Sequence, residues 1–221
     1  MRKIIVVLLV TLMSMAACVA ASAKEKAKPQ YPHAILTLND SRVITGYLRS
    51  NLHNVGKDVA VSETCDGKKM SYKIADINSL KVTYPDGQNE VYIPIRIWKD
   101  YPQPTLATVC FSGNRVVGYR IPSQYIKSTA AVPSSNFQSY SWNYEAWVFA
   151  YRVGNEEVIR TFWVHIPVKK APKLKSIIKK AKKDFKDYPV VPETIVSDGL
   201  TADTIIQNPC ILLDILDKHL E

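Results

Sequence analysis

Apolar and polar residues alternate with a period of two through most of residues 34–166. That period sends successive side chains to opposite faces of a strand. It predicts strands at 34–38, 42–49, 58–63, 69–74, 77–83, 90–98, 105–111 and 115–121. Turn-forming runs separate several of them, among them Asn39-Asp40-Ser41, Tyr84-Pro85-Asp86-Gly87 and Ser112-Gly113-Asn114. Pro94 lacks an N–H, which predicts an edge position for the strand 90–98. The densest aromatic stretch is 142–168, where two β-branched and aromatic runs flank a Gly154-Asn155 turn, a hairpin signal. A loop of even length places Trp147, Phe149, Tyr151 and Val153 on one face with Val158, Arg160, Phe162, Val164 and Ile166. It places Trp142, Tyr144, Ala146 and Val148 on the other, with Ile159, Thr161, Trp163 and His165.

After Pro172 the period lengthens. Leu174, Ile177, Ile178, Ala181, Phe185 and Tyr188 form one apolar stripe, predicting a helix over 173–188 that stops at Pro189. Its opposite side carries Lys173, Lys175, Lys179, Lys180, Lys182, Lys183 and Lys186. A second stripe, Ile211, Leu212, Ile215, Leu216 and Leu220, comes after an Asn208-Pro209 helix start. Two stretches read as irregular: the polar segment 122–140, and 190–207 with a single helical turn at 201–206.

The first residues have a different character. Met-Arg-Lys precedes an apolar run and then small residues, as in a secretory signal peptide, and Ala21-Ser22-Ala23 supplies a cleavage site. Met15-Ala16-Ala17-Cys18 offers an alternative, lipid attachment at Cys18, which would anchor the chain to a membrane. The expected organisation is a signal peptide at 1–23, a charged tether at 24–32, one domain at 33–98 and a second at 99–221. The expected location is the periplasm or the cell surface.

Within the first domain, Leu36-Thr37-Leu38-Asn39-Asp40-Ser41-Arg42-Val43-Ile44-Thr45-Gly46-Tyr47-Leu48 resembles the first motif of Sm-like proteins, and 74–82 falls where such barrels place their closing strands. The resemblance spans about 50 residues. It implies a small SH3-like or Sm-like barrel. Two departures limit it: the usual turn glycine is Ser41 here, and the Arg-Gly pair of the family's RNA-binding motif is missing. RNA binding is therefore not carried over, and no nucleic-acid partner is expected. The expected fold class is mainly β (α+β overall), an N-terminal small barrel and then an antiparallel sheet domain packed with two C-terminal helices.

Candidate chemistry is sparse. The four histidines are scattered, and no nucleophile elbow, metal-ligating spacing, phosphate loop or dinucleotide fingerprint occurs, so neither cofactor nor metal is expected. Cys110 and His165 both fall on predicted strands, where a buried thiol and a core histidine explain them. Glu145 is the one acid inside the aromatic hairpin, and a glycosidase needs two. Trp98, Tyr101, Tyr140, Trp142 and Tyr144 lie at strand ends beside the polar segment, where rings can stack on sugars. Lys175, Lys179, Lys180, Lys182 and Lys183 form a candidate face for an anionic partner. The expected role is binding or assembly in the cell envelope, without catalysis, the partner being an envelope protein or a glycan. Two alternatives are a carbohydrate- or peptidoglycan-related module using the exposed aromatics, and a binder of anionic polymer or lipid through the lysine face. Membrane association is expected only if Cys18 is lipidated.

Overall fold

The computed structural model describes residues 30–97, 103–129, 140–156, 159–166 and 169–220, and only the backbone of 125–129 and 140–143. The chain is mainly β: the described residues form ten strands in one antiparallel sheet and four α-helices in the C-terminal part. The strands are β1 (His33–Leu38), β2 (Val43–Leu48), β3 (Asp58–Ser62), β4 (Met70–Lys73), β5 (Ile77–Thr83), β6 (Asn89–Ile95), β7 (Thr105–Ser112), β8 (Val116–Thr129), β9 (Tyr140–Val153) and β10 (Arg160–His165). Their order across the sheet is β10-β9-β8-β7-β6-β5-β1-β2-β3-β4.

Alternation places the core of the first half where the sequence puts its apolar positions. Ala34, Leu36, Leu38, Leu48, Val59, Val61, Leu80 and Val82 share one buried cluster with Tyr92 and Leu106. Gly46 pairs with Ala34 inside β2. A Cβ there would lie 2.3 Å from the Ser62 carbonyl oxygen, so the backbone of β3 comes too close for any side chain.

Pro94 does not mark an edge strand. β6 lies between β5 and β7, but its pairing with β5 ends at Tyr92, while Pro94 faces Leu106 of β7. The proline sits where β6 has passed from one neighbour to the other, with a single strand beside it. A parallel bridge between Ile97 and Ile159 then brings the end of β6 against the start of β10. Strands β6 to β10 therefore curl round, and Ile95, Ala107, Tyr119, Ile121, Ala150 and Ile159 form a second buried cluster.

The irregular segment predicted at 122–140 is strand as far as Thr129. β8 and β9 pair over their full lengths, from Val116↔Val153 to Thr129↔Tyr140, and beyond Arg120 and Trp147 they lack their outer neighbours β7 and β10.

Helices α1 (Leu174–Asp184), α2 (Val190–Ser197), α3 (Ala202–Gln207) and α4 (Ile211–Leu220) cover the other side of these strands. The α1 stripe is as the spacing predicts: Ile177, Ala181 and Phe185 are buried, and Leu174, Ile178 and Tyr188 pack on the same cluster. The prediction of two helices is too low. α2 occupies part of the stretch read as irregular, and it ends at Gly199, whose φ of 62° is the left-handed conformation that closes a helix. Its first turn contains Pro192, which is tolerated there because a first-turn N–H has no intrahelical partner.

The aromatic hairpin departs from strict alternation. Arg160 faces Tyr151 and Thr161 faces Ala150, but Trp163 faces Phe149, so Phe162 is an extra residue in β10. Such a bulge turns two consecutive side chains to one side. Phe162 and Trp163 are both buried against the helices with Phe149 and Tyr151, while Val164 is exposed. The placement of Phe162 agrees with parity. Those of Trp163 and Val164 are reversed by the bulge. β7 repeats the device, where Val109 faces Tyr119 and Phe111 faces Gly118, leaving Cys110 as the extra residue.

Candidate functional site

A cleft of about 370 Å³ opens between the first half of the sheet and the β8–β9 ribbon. Its walls include Asn51, Tyr84, Asp86, Gln88, Glu90, Glu145 and Trp147, with His53 at its base. Local sequence builds each wall. The Asn51 side chain accepts a hydrogen bond from the His53 backbone N–H (2.9 Å) and so starts a 3-10 turn over Leu52–Asn54, while Leu52 is buried in the core below. Across from it, Gly87, at φ 87°, closes the β5–β6 turn and presents Asp86 and Gln88.

His53 ties the two walls together. Its Nδ1 lies 2.9 Å from the Ser123 carbonyl oxygen and 3.1 Å from that of Ala146, residues that face each other on β8 and β9. Two acceptors at Nδ1 require the proton there, which leaves Nε2 to face Glu145 Oε2 at 3.7 Å. The imidazole meets the Trp147 ring edge-on at 4.6 Å. The Arg120 guanidinium also stacks on that indole, 4.3 Å from the ring centre.

Arg120 donates in turn to Glu90. Glu90 also accepts from the Tyr92 hydroxyl and, at 3.3 Å, from that of Tyr84, and the two hydroxyls are 2.9 Å apart. Burial first, and then its bonds to Glu90 and Tyr84, push the Tyr92 phenol far above its ordinary value. Burial likewise raises Tyr84, and the Glu90 charge adds to it against the opposing bond from Tyr92. Both phenols are therefore neutral donors. The row His53–Trp147–Arg120–Glu90–Tyr84/Tyr92 is a fixed polar and aromatic framework, with Glu145 and Asp86 as the outward carboxylates.

Few of these residues stand out in the sequence. Glu145 does, as the one acid in the hairpin. His53 reads as a loop histidine, and Trp147 as core. Arg120, Glu90 and Tyr84 carry no signal, because Tyr84 is 6 residues from Glu90 and Arg120 is 30, and only the register of β5, β6 and β8 brings them together. Among the predicted aromatics, Trp98 and Tyr101 lie outside the described residues, as do the side chains of Tyr140 and Trp142. Tyr144 is half-buried, alternates to the face opposite Glu145 and Trp147, and is not a wall of the cleft. Cys18 and residues 1–29 also lie outside the described residues.

The lysine face is a second candidate. Lys175, Lys179, Lys180, Lys182 and Lys183 are all exposed, and Lys180 pairs with Asp184 one turn on. Between residues 169 and 187 nine lysines stand against two aspartates, a surplus of seven where the whole chain carries +9, and Arg2 and Lys3 account for the other two. A cleft of about 540 Å³ adjoins this face, lined by Trp163, His165, Lys169, Lys170, Ile177 and Lys180 among others. Among the described residues, no group of three or more His, Cys, Asp or Glu is placed to hold a metal ion, and no helix is long and apolar enough to cross a membrane.

Comparison with protein-family models, with curated proteins and with solved structures found no match to this chain.

Proposed function

We propose that the chain is an exported cell-envelope protein that binds its partner without transforming it, and that the His53–Trp147 cleft takes a glycan. The cleft itself carries this reading. Two outward carboxylates and the amides of Asn51 and Gln88 line a space between two aromatic walls, a set that accepts and donates hydrogen bonds to hydroxyls while covering apolar sugar faces. A binding role accounts for the state of the inner groups. Glu90 is engaged by three donors and His53 Nδ1 by two carbonyls, so both are spent on holding the cleft in shape. The basic, apolar start of the sequence supports export.

A glycan array tests the reading. Wild type is expected to retain at least one glycan. Glu145→Gln, on an exposed side chain that can be changed without disturbing the core, is expected to weaken that binding about tenfold through loss of one charged hydrogen bond. Trp147→Ala is expected to weaken it further. Absence of binding to every glycan overturns the reading.

The same proposal takes β1–β5 as a small barrel of the SH3/Sm-like kind. Three observations support it: β5 returns to pair with β1, Gly46 allows the close approach of β3, and Ser41 adopts φ 68° where the Sm-like motif has glycine.

The lysine face favours a second reading, binding of an anionic polymer or lipid headgroup, because the surplus charge of the chain is gathered there. Retention on a heparin column is expected to fall with rising salt and to drop sharply in Lys179→Glu/Lys180→Glu/Lys183→Glu. Unchanged retention in that variant counts against it.

A further inference from the structure

Cys110 and Cys210 are a hundred residues apart in the chain, yet their sulfurs are 3.1 Å apart. Two local devices bring them together. Cys110 is the extra residue of the β7 bulge, which turns it with Phe111 toward the helices. Cys210 opens the first turn of α4, where its carbonyl accepts from the N–H groups of Leu213 and Asp214. The helix is held in place by a second contact. Asp217, seven residues after Cys210 and so on nearly the same side of α4, accepts hydrogen bonds from the β7–β8 turn at Asn114, Arg115 and Val116. Seven residues of helix rise about 10.5 Å. The three strand residues from Cys110 to Gly113 span about 10 Å. Helix and strand therefore run in step, and the two sulfurs meet as a consequence of packing that exists without any bond between them.

The pair is also chemically asymmetric. When Cys210 ionises, the Cys110 S–H beside it donates to the thiolate. This lowers the Cys210 thiol below its usual range, against burial and with help from the Arg120 charge. The same interaction, together with burial, pushes Cys110 up. Cys210 also stands at the N-terminal end of α4, which favours a thiolate there, and this place makes it the attacking sulfur. The third described cysteine, Cys65, lies in the turn region between β3 and β4.

We propose that Cys110 and Cys210 are a disulfide site, oxidised by thiol–disulfide exchange, that staples α4 to β7 and leaves Cys65 as a thiol. The oxidant is an external disulfide, either a small molecule such as oxidised glutathione or a protein disulfide donor. The Cys210 thiolate attacks one of its sulfurs, breaks the S–S bond and releases one thiolate. Cys110, losing its proton, then attacks the Cys210 sulfur of the mixed disulfide and releases the second. Two electrons pass from the cysteine pair to the donor, and the two protons end on the released thiols.

The test equilibrates the full chain with oxidised and reduced glutathione, quenches it with acid, alkylates free thiols and maps the unreduced digest by mass spectrometry. The expected product is a peptide pair joining Cys110 to Cys210, with Cys65 alkylated. Closing so long a loop is expected to raise the melting temperature by roughly 10 °C over the reduced chain. That difference should persist in Cys65→Ser and vanish in Cys210→Ser. Recovery of both Cys110 and Cys210 as alkylated thiols, or a bridge that contains Cys65, overturns the proposal. Mapping the wild type keeps the result readable even if a cysteine variant folds poorly.

Discussion

Replacement of Asp217 by alanine is expected to lower the stability of the chain by about 3 kcal/mol, with a melting temperature lower by roughly 10 °C. The carboxylate is 6% exposed and accepts three backbone hydrogen bonds, from Asn114 (2.8 Å), Arg115 (2.7 Å) and Val116 (2.7 Å). Removing it strands those donors beneath a helix that keeps water out. The fit is tight, since a Cβ on Gly113 would lie 2.1 Å from one carboxylate oxygen. Urea titration of the two proteins measures the difference, and a loss under about 1 kcal/mol would show that the turn finds other partners. The effect also carries a pH signature. Burial disfavours the charge, but the three N–H donors outweigh it and hold the Asp217 carboxyl below its ordinary range. A group whose folded value is depressed contributes its full stability above its unfolded value, about 3.9, and loses it as the pH falls through the folded value. The gap between wild type and Asp217→Asn should therefore be constant above about pH 5 and close progressively below pH 4.

Phe162→Ala is the second large effect, expected at about 4 kcal/mol. Phe162 is 2% exposed at the centre of an aromatic cluster. Its ring meets Phe149 (6.2 Å) and Tyr151 (5.8 Å) edge-on and Phe185 at a tilt (5.6 Å), and Tyr151 stacks on Phe185 at 5.1 Å. Phe185 directly follows α1, so truncation of Phe162 opens a cavity between helix and sheet that rigid rings cannot fill. Near-UV circular dichroism should lose aromatic intensity along with the stability. Phe162→Leu, which keeps most of the volume, should cost about 1 kcal/mol. An alanine variant as stable as the leucine one would mean that the helices close the gap.

The strands were legible because period-two alternation and turn residues act within a few positions of each other. Each of the ten strands overlaps a run that pattern marks, although β8 continues to Thr129 through residues read as irregular, and the stripe from Leu174 to Tyr188 fixes the buried side of α1. Features that depend on a partner elsewhere were not legible. Pro94 reads as an edge residue because its sequence cannot show that β6 changes neighbours at Tyr92. The segment 190–197 reads as irregular because prolines flank and enter it, although both occupy positions a helix start tolerates. The candidate cleft was the least legible part. Glu145 is visible as an acid among tryptophans, but His53 takes its meaning only from the Ser123 and Ala146 carbonyls, 70 and 93 residues away. Trp147, which alternation assigns to the core, is shared between the core and the cleft.

The two bulges have a consequence for how the chain tolerates changes in length. A strand has a reading frame of two, and an insertion or deletion within it moves every later side chain to the wrong face. At Cys110 and at Phe162 the chain carries one residue more than the ladder counts, so the frame has already shifted there. The residues after each bulge occupy the second frame: Phe111 against the helices, Trp163 beside Phe149. Cys110 and Phe162 are the hinges between frames. Loss of either one would restore unbroken alternation along its strand and leave Phe111 facing Gly118, or Trp163 facing Phe149, still toward the helical layer; the change would remove one side chain there without inverting those that follow.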